Sequence, residues 1–134
     1  RPVKVATEGE SLSAGSTIVA SSADHLVLRD GLLRYVVEPA EQIFRPSVDV
    51  LFASVVQERV RPSVAILLTG MGRDGAQGMR SLRDAGWHTI AQDQATSVVW
   101  GMPGSAVEMG GVVEILPLDQ IGAAASRWVQ SRVA

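Results

Sequence analysis

Five consecutive apolar residues, Val64-Ala65-Ile66-Leu67-Leu68, run straight into a glycine-rich turn, Thr69-Gly70-Met71-Gly72-Arg73-Asp74-Gly75, and then into a helix-forming stretch. A short continuous apolar run reads as a strand buried on both faces, the form strands take in parallel sheets. The helix expected over about Ala76 to Ala85 stops at Gly86, which suits a C′ position. Strand, tight turn and helix in that order are most of a βαβ unit. A chain that opens its second half this way is committed to an α/β architecture.

The rest of the sequence fits that commitment in its second half and departs from it in the first. His88 to Ala91 and Val112 to Leu116 read as further parallel strands. Between them, Thr96 to Trp100 is a loop, and Pro103 sits in the first turn of a helix that Gly110-Gly111 ends. A final amphipathic helix starts at Asp119 or its neighbour, with Ile121, Ala124, Ala125, Trp128 and Val129 on one side. Upstream, Val3 to Ala6 and Thr17 to Ala20 are short strands. Leu26 to Arg29 and Leu32 to Val37 flank Asp30-Gly31, a hairpin signal because a type I′ turn needs positive φ at both central residues. A helix follows Arg45-Pro46-Ser47, with Ser47 as its cap and Val48, Leu51, Phe52, Val55 and Val56 forming one buried face.

Composition excludes several classes of function. With 134 residues, 46% hydrophobic and 19% charged, the chain has the apolar mass for a core. A net charge of -2 gives no basic field for nucleic acid. No apolar run reaches membrane-spanning length, and there is no cysteine for a disulfide, thiolate or metal site. These features suit a cytoplasmic protein without membrane insertion. The chain begins at Arg1 rather than Met, and is expected to be trimmed or partial.

The Thr69–Gly75 turn is the densest chemical signal, and its residues alone admit three readings. Gly70-x-Gly72-x-x-Gly75 matches the dinucleotide fingerprint, with Asp93 near the offset of the ribose-binding acid. Asp74, a carboxylate where the pyrophosphate would lie, opposes it. The second reading is a structural glycine turn with Asp74 as a helix cap. The third is catalytic: a carboxylate at the carboxyl end of a strand can orient a histidine in a Ser-His-Asp triad. The turn's amides can then stabilise an oxyanion.

The stretch Leu67 to Met79 resembles the signature of CheB-type chemotaxis protein-glutamate methylesterases, as does Thr89 to Pro103. His25-Leu26, Arg45 to Phe52 and Leu116-Pro117-Leu118 also match the pattern in order, across nearly the whole chain. This resemblance displaces the dinucleotide reading. It implies a three-layer α/β/α Rossmann-like sandwich with a mostly parallel sheet and an antiparallel hairpin. It also implies demethylation of receptor methyl-glutamates, with deamidation of receptor glutamines in many members, and no metal or organic cofactor. Asp74 matches the triad aspartate. Met71 matches a position whose amide serves the oxyanion hole, and Thr69, Gly70, Gly72 and Gly75 complete the site loop. The implied partners are methylated chemotaxis receptors, and a receiver domain often precedes the catalytic one.

Two parts of the family's machinery have no match. Its nucleophilic serine, in a Gly- and Ser-rich turn, and its histidine, in a Gln-His-Met-like stretch, both precede the segment matched by Val3 to Ala6. Residues 1–134 are therefore expected to be the C-terminal portion of one methylesterase catalytic domain, inactive alone. Its Val64–Leu68 strand is then expected to show an open edge or an uncovered face. A non-catalytic receptor- or partner-binding module is the main alternative, and a dinucleotide-binding domain the lesser one. His25 reads as a surface or loop histidine, His88 as structural, and Ser97 and Ser105 as turn or cap serines. Asp49 and Glu58 read as the exposed face of their helix, and Arg73 as solvated charge. Trp87, Trp100 and Trp128 read as three separate packing residues. Met79, Met102 and Met109 read as core or loop packing.

Overall fold

The computed structural model describes residues 2–133, which fall into two compact units divided after Val60. The element order is β1 (Val3–Val5), β2 (Thr17–Val19), β3 (His25–Arg29), β4 (Leu32–Val36), α1 (Val48–Gln57), β5 (Val64–Leu67), α2 (Ala76–Asp84), β6 (His88–Gln92), α3 (Gly101–Glu108), β7 (Glu114–Leu116) and α4 (Leu118–Val133). The class is α/β, with mostly parallel pairing and one antiparallel pair.

In the first unit, β1 and β2 pair in parallel, and β3 and β4 form the antiparallel hairpin. The turn takes the predicted shape, with φ of 54° at Asp30 and 77° at Gly31. Ala6, Leu26, Leu28 and Leu33 form the core here, joined by Ile18, Tyr35 and Val60. Burial of each large aliphatic side chain contributes about 1.5–3 kcal/mol. Tyr35 stitches the two sheets together: its hydroxyl donates to the Ala6 carbonyl at 2.8 Å.

Three expectations for this unit are corrected. Helix α1 is capped by Ser47 as predicted, but it has no fully buried residue. It packs on β3, and a two-stranded ribbon is too narrow to cover a whole helix face. Glu58 does more than face solvent: its Oε1 accepts from the Gly31 amide at 2.9 Å, and Asp49 is likewise partly buried. His25 is neither surface nor loop. It is 0% exposed, its Nδ1 accepts from the Ser47 amide at 3.1 Å, and its Nε2 therefore donates to the Pro39 carbonyl at 3.2 Å. The imidazole replaces water for two main-chain groups, which is why the site tolerates no solvent.

The second unit is a three-stranded parallel sheet in the order β5-β6-β7. Period-two alternation divides it into two faces. Ile90 packs with Ile121 and Ala124 of α4, and with Val64, Leu116 and Ala125. Helices α2 and α3 touch each other and β6. Met79, Leu82 and Ala106 from these two helices are fully buried. Arg80 of α2 donates to the Met109 carbonyl at 3.0 Å, and Arg83 donates to the carbonyls of Gly110 and Val112 at 3.0 and 3.1 Å. Cations thus satisfy the carbonyl end of α3, where the helix dipole favours them.

Strand β5 is only half as buried as its composition suggests. Ala65 and Leu67 are buried, while Ile66 is 37% and Leu68 46% exposed. Among the described residues β5 pairs with β6 alone, so it forms one edge of this sheet. Strand β7 starts two residues later than expected. The Val113 amide is taken by the Thr89 carbonyl and hydroxyl, and the Val112 carbonyl by Arg83. Val129, expected on the packed side of α4, is 43% exposed. Trp128, one residue earlier, is seated: it stacks on His88 with centroids 5.9 Å apart and meets the Arg132 guanidinium at 4.7 Å. His88 also bonds Glu114 at 2.6 Å, the structural role expected of it. No helix among the described residues is long and apolar enough to cross a membrane.

Candidate functional site

Two loops meet at the carboxyl end of the parallel sheet, where open α/β sheets bind ligands. One is the Thr69–Gly75 turn, between β5 and α2. The other runs from Asp93 to Trp100, between β6 and α3. They are joined main chain to main chain. The Gly70 amide donates to the Val99 carbonyl at 3.0 Å, and the Met102 amide donates to the Gly70 carbonyl at 2.8 Å. Thr69 reinforces the seam: its hydroxyl donates to the Val99 carbonyl at 2.8 Å and accepts from the Val99 amide at 2.9 Å.

The glycines of the turn serve two physical needs. Gly72 and Gly75 have φ of 93° and 96°, where a side chain strains the backbone. Gly70 lies against Met102, whose sulfur would sit 2.5 Å from a Cβ. Across the seam, a Cβ on Gly101 would lie 2.8 Å from the Gly72 nitrogen and 2.9 Å from the Gly70 oxygen. The main chain at the start of α3 therefore packs directly against the turn. Asp93 is also engaged: its Oδ1 accepts from the Thr96 amide at 3.0 Å and the Thr96 hydroxyl at 2.6 Å. Both features of the dinucleotide reading thus have local structural roles.

Asp74 is partly buried at the end of the turn, directly before Gly75, which is the N-cap residue of α2. Gly75 cannot cap through a side chain. Met71 lies in the same turn with its side chain 78% exposed. Arg73, between them, is exposed. The turn therefore brings the expected aspartate and the expected oxyanion amide into one seven-residue segment.

No histidine of the second unit stands beside Asp74. His88 opens β6 opposite Val64, at the amino end of the sheet, and Leu67 at the carboxyl end is paired with Ala91. At 3.3 Å per residue, that separates His88 from the turn by roughly 10 Å. His25 uses both ring nitrogens inside the first unit. Ser97 donates its hydroxyl to the Asp93 carbonyl at 2.6 Å, the turn role expected of it, and Ser105 lies within α3. The tryptophans are separate as expected. Trp100 donates its indole N–H to the Gln92 carbonyl at 2.8 Å and covers Gly104, while Trp128 seats α4.

Gln92 and Thr96 have no role in the sequence reading, yet they organise the loops. Gln92 is 1% exposed. Its Oε1 accepts from the Thr69 amide at 2.8 Å, and its Nε2 donates to the Thr96 carbonyl at 2.8 Å and hydroxyl at 3.2 Å. The same Thr96 hydroxyl accepts from the Leu118 amide at 3.1 Å, one of the unpaired donors opening α4. A glutamine directly after Ile90-Ala91, at the end of a strand that leads into the loop, is the available signal. A polar group at the end of a buried strand needs partners.

Comparison with known proteins bears on the family and the fold. The CheB methylesterase family model matches residues 1–125. A protein-glutamate methylesterase/protein-glutamine glutaminase of Mesorhizobium japonicum is 52% identical over 122 residues, covering 90% of this chain and 36% of that protein. One from Cupriavidus metallidurans is 50% identical over 121 residues, with the same coverage. This chain thus spans about a third of the length of these relatives. The crystal structure of the Thermotoga maritima CheB methylesterase catalytic domain superposes with a TM-score of 0.78 at 32% identity, over 90% of this chain and 66% of that one.

Proposed function

Because the chain belongs to the CheB methylesterase family, we propose that residues 1–134 are the C-terminal portion of one protein-glutamate methylesterase catalytic domain, and that Asp74 is its triad aspartate. The parent acts in the cytoplasm on methylated chemotaxis receptors, removing methyl groups from glutamates and amide groups from glutamines. A receiver domain regulates it, and it uses no cofactor. The observation that carries this reading is the Thr69–Gly75 turn: a carboxylate in a glycine-rich bend, bonded by Gln92 and packed against Gly101 at the carboxyl end of β5.

In this mechanism the serine and histidine lie outside residues 1–134. The serine attacks the ester carbonyl and passes its proton to the histidine. Asp74 holds that histidine in the correct tautomer and stabilises its imidazolium. The Met71 amide, with a donor from the serine's own turn, stabilises the tetrahedral oxyanion. Methanol leaves, and water then hydrolyses the acyl-enzyme. Loss of a triad serine or histidine costs on the order of a millionfold in rate, so the 134-residue chain alone is inactive.

The test is methanol release from methylated receptor. It is measured for this chain alone, for the parent domain with the serine- and histidine-bearing segments present, and for that domain with Asp74→Asn. Activity only in the second case supports the reading. Full activity of the Asp74→Asn domain, or methanol release by the isolated chain, overturns it.

One observation favours a second reading, a non-catalytic receptor-binding module: His25 and His88 are both committed to structural partners away from the turn. That reading expects receptor binding and no methanol release from the completed domain.

A further inference from the structure

Gln92 sits at the end of β6, next to the strand that leads into the Asp74 turn, and its amide faces both loops. Each loop asks something different of it. Thr69 presents an N–H and needs an acceptor, while Thr96 presents a carbonyl and needs a donor. Among side chains of this length only an amide, or a protonated carboxyl, offers one of each in a planar group. A carboxylate would accept from Thr69 but repel the Thr96 oxygen. A leucine would fill the space but take away the partners that Gln92 gives a part-buried main-chain N–H and C=O.

Thr69 is the first residue of the turn, and Gly70 follows it into the main-chain seam with Val99. Fixing the Thr69 amide therefore fixes where the turn leaves the sheet, and with it Met71 and Asp74 downstream. The Thr96 hydroxyl carries the same anchorage to Leu118, the first residue of α4. We propose that Gln92 is a positioning residue, which sets the turn bearing Asp74 and Met71 by bonding Thr69 and Thr96 at once. Its value for catalysis rests on the methylesterase reading above, but the coupling itself does not.

The experiment compares amide hydrogen-exchange protection in the 134-residue chain, wild type and with Gln92→Leu or Gln92→Glu. Protection at Ile90 and Leu82 serves as the control for folding. In Gln92→Leu, protection of Thr69 and Gly70 falls by about tenfold while the controls hold. In Gln92→Glu it falls similarly near neutral pH. It returns at about pH 4, where the carboxylic acid again offers one donor and one acceptor. Burial favours the acid form, so the return begins above the usual carboxylate range. A purely space-filling role would give no such pH-dependent recovery. If Gln92→Leu unfolds, the Gln92→Glu profile alone decides. Unchanged protection at Thr69 and Gly70 in both variants, or a Gln92→Glu loss that low pH does not reverse, overturns the proposal. Methanol release by the completed domain carrying Gln92→Glu, against that with Asp74→Asn, separates the two ideas. Full activity of the Asp74→Asn domain sinks the esterase reading and leaves the exchange result standing.

Discussion

Gly101 faces Gly72 main chain to main chain, so closely that a Cβ on Gly101 would lie 2.8 Å from the Gly72 nitrogen. The obstacle is backbone on the far side as well as the near, so no rotamer change relieves it. Substituting Gly101 with alanine therefore pushes the start of α3 away from the turn. The expected cost is about 1–3 kcal/mol, in the range of overpacked sites. A lower urea midpoint, with exchange protection lost first at Gly70 and Met102, is the signature. An unchanged midpoint would mean that the two loops slide apart freely.

Asp74→Asn is nearly isosteric and removes the charge that would stabilise an imidazolium. In the completed domain it should lower the rate of methanol release by about ten-thousandfold, as removal of a triad aspartate's charge does elsewhere. Steady-state kinetics on methylated receptor reads this directly. The melting temperature should stay within a few degrees, about 1 kcal/mol or less for a domain of this size.

His25 supports the first unit from inside. Replacing it with phenylalanine keeps the bulk but strands the Ser47 amide and the Pro39 carbonyl without partners. The loss should be about 2–4 kcal/mol, from two buried main-chain groups left unpaired. Exchange protection at Leu26 and Leu28 should fall, while Ile90 keeps its own. Esterase chemistry in the completed domain should persist wherever the fold does.

Two carboxylates of the first unit tie its stability to pH. Glu8 is held below the usual value of 4.5, first by the Tyr35 amide that donates to it and then by Arg34. Glu10 is held low by Lys4 and by the Thr7 amide. A group whose folded pKa is depressed gives stability that is present above its unfolded value. That stability is lost as pH falls through the folded value. Acidification below pH 4.5 should therefore loosen the first unit progressively. Glu8→Gln should flatten the acid limb of a plot of urea midpoint against pH, and an unaltered limb would contradict this assignment.

Local signals made much of the fold readable in the sequence. Asp30-Gly31 announces its turn because two positive φ values need those residues. Gly86 ends α2 with φ of 94° for the same reason. The turn bearing Asp74 stands out because four glycines there and at Gly101 answer steric demands that nothing else meets. What escaped the sequence depends on partners distant along the chain. Nothing around Gln92 says that Thr69 and Thr96 will close on it, nor does Glu58 announce that Gly31 will dock on its carboxylate. The composition of β5 reads as buried, but exposure of Ile66 and Leu68 depends on what lies over that face. His25 reads as a surface residue because nothing near it in the sequence shows its two main-chain partners, Ser47 and Pro39.

Three hydroxyls of the two loops each donate a hydrogen bond inside the fold. Thr69 donates to Val99, Thr96 to Asp93, and Ser97 to the carbonyl of Asp93. Each hydroxyl hydrogen lies against an acceptor within these two loops, a carbonyl for Thr69 and Ser97 and a carboxylate for Thr96. The same bonds that give the loops their shape therefore also fix the rotamers of these three oxygens.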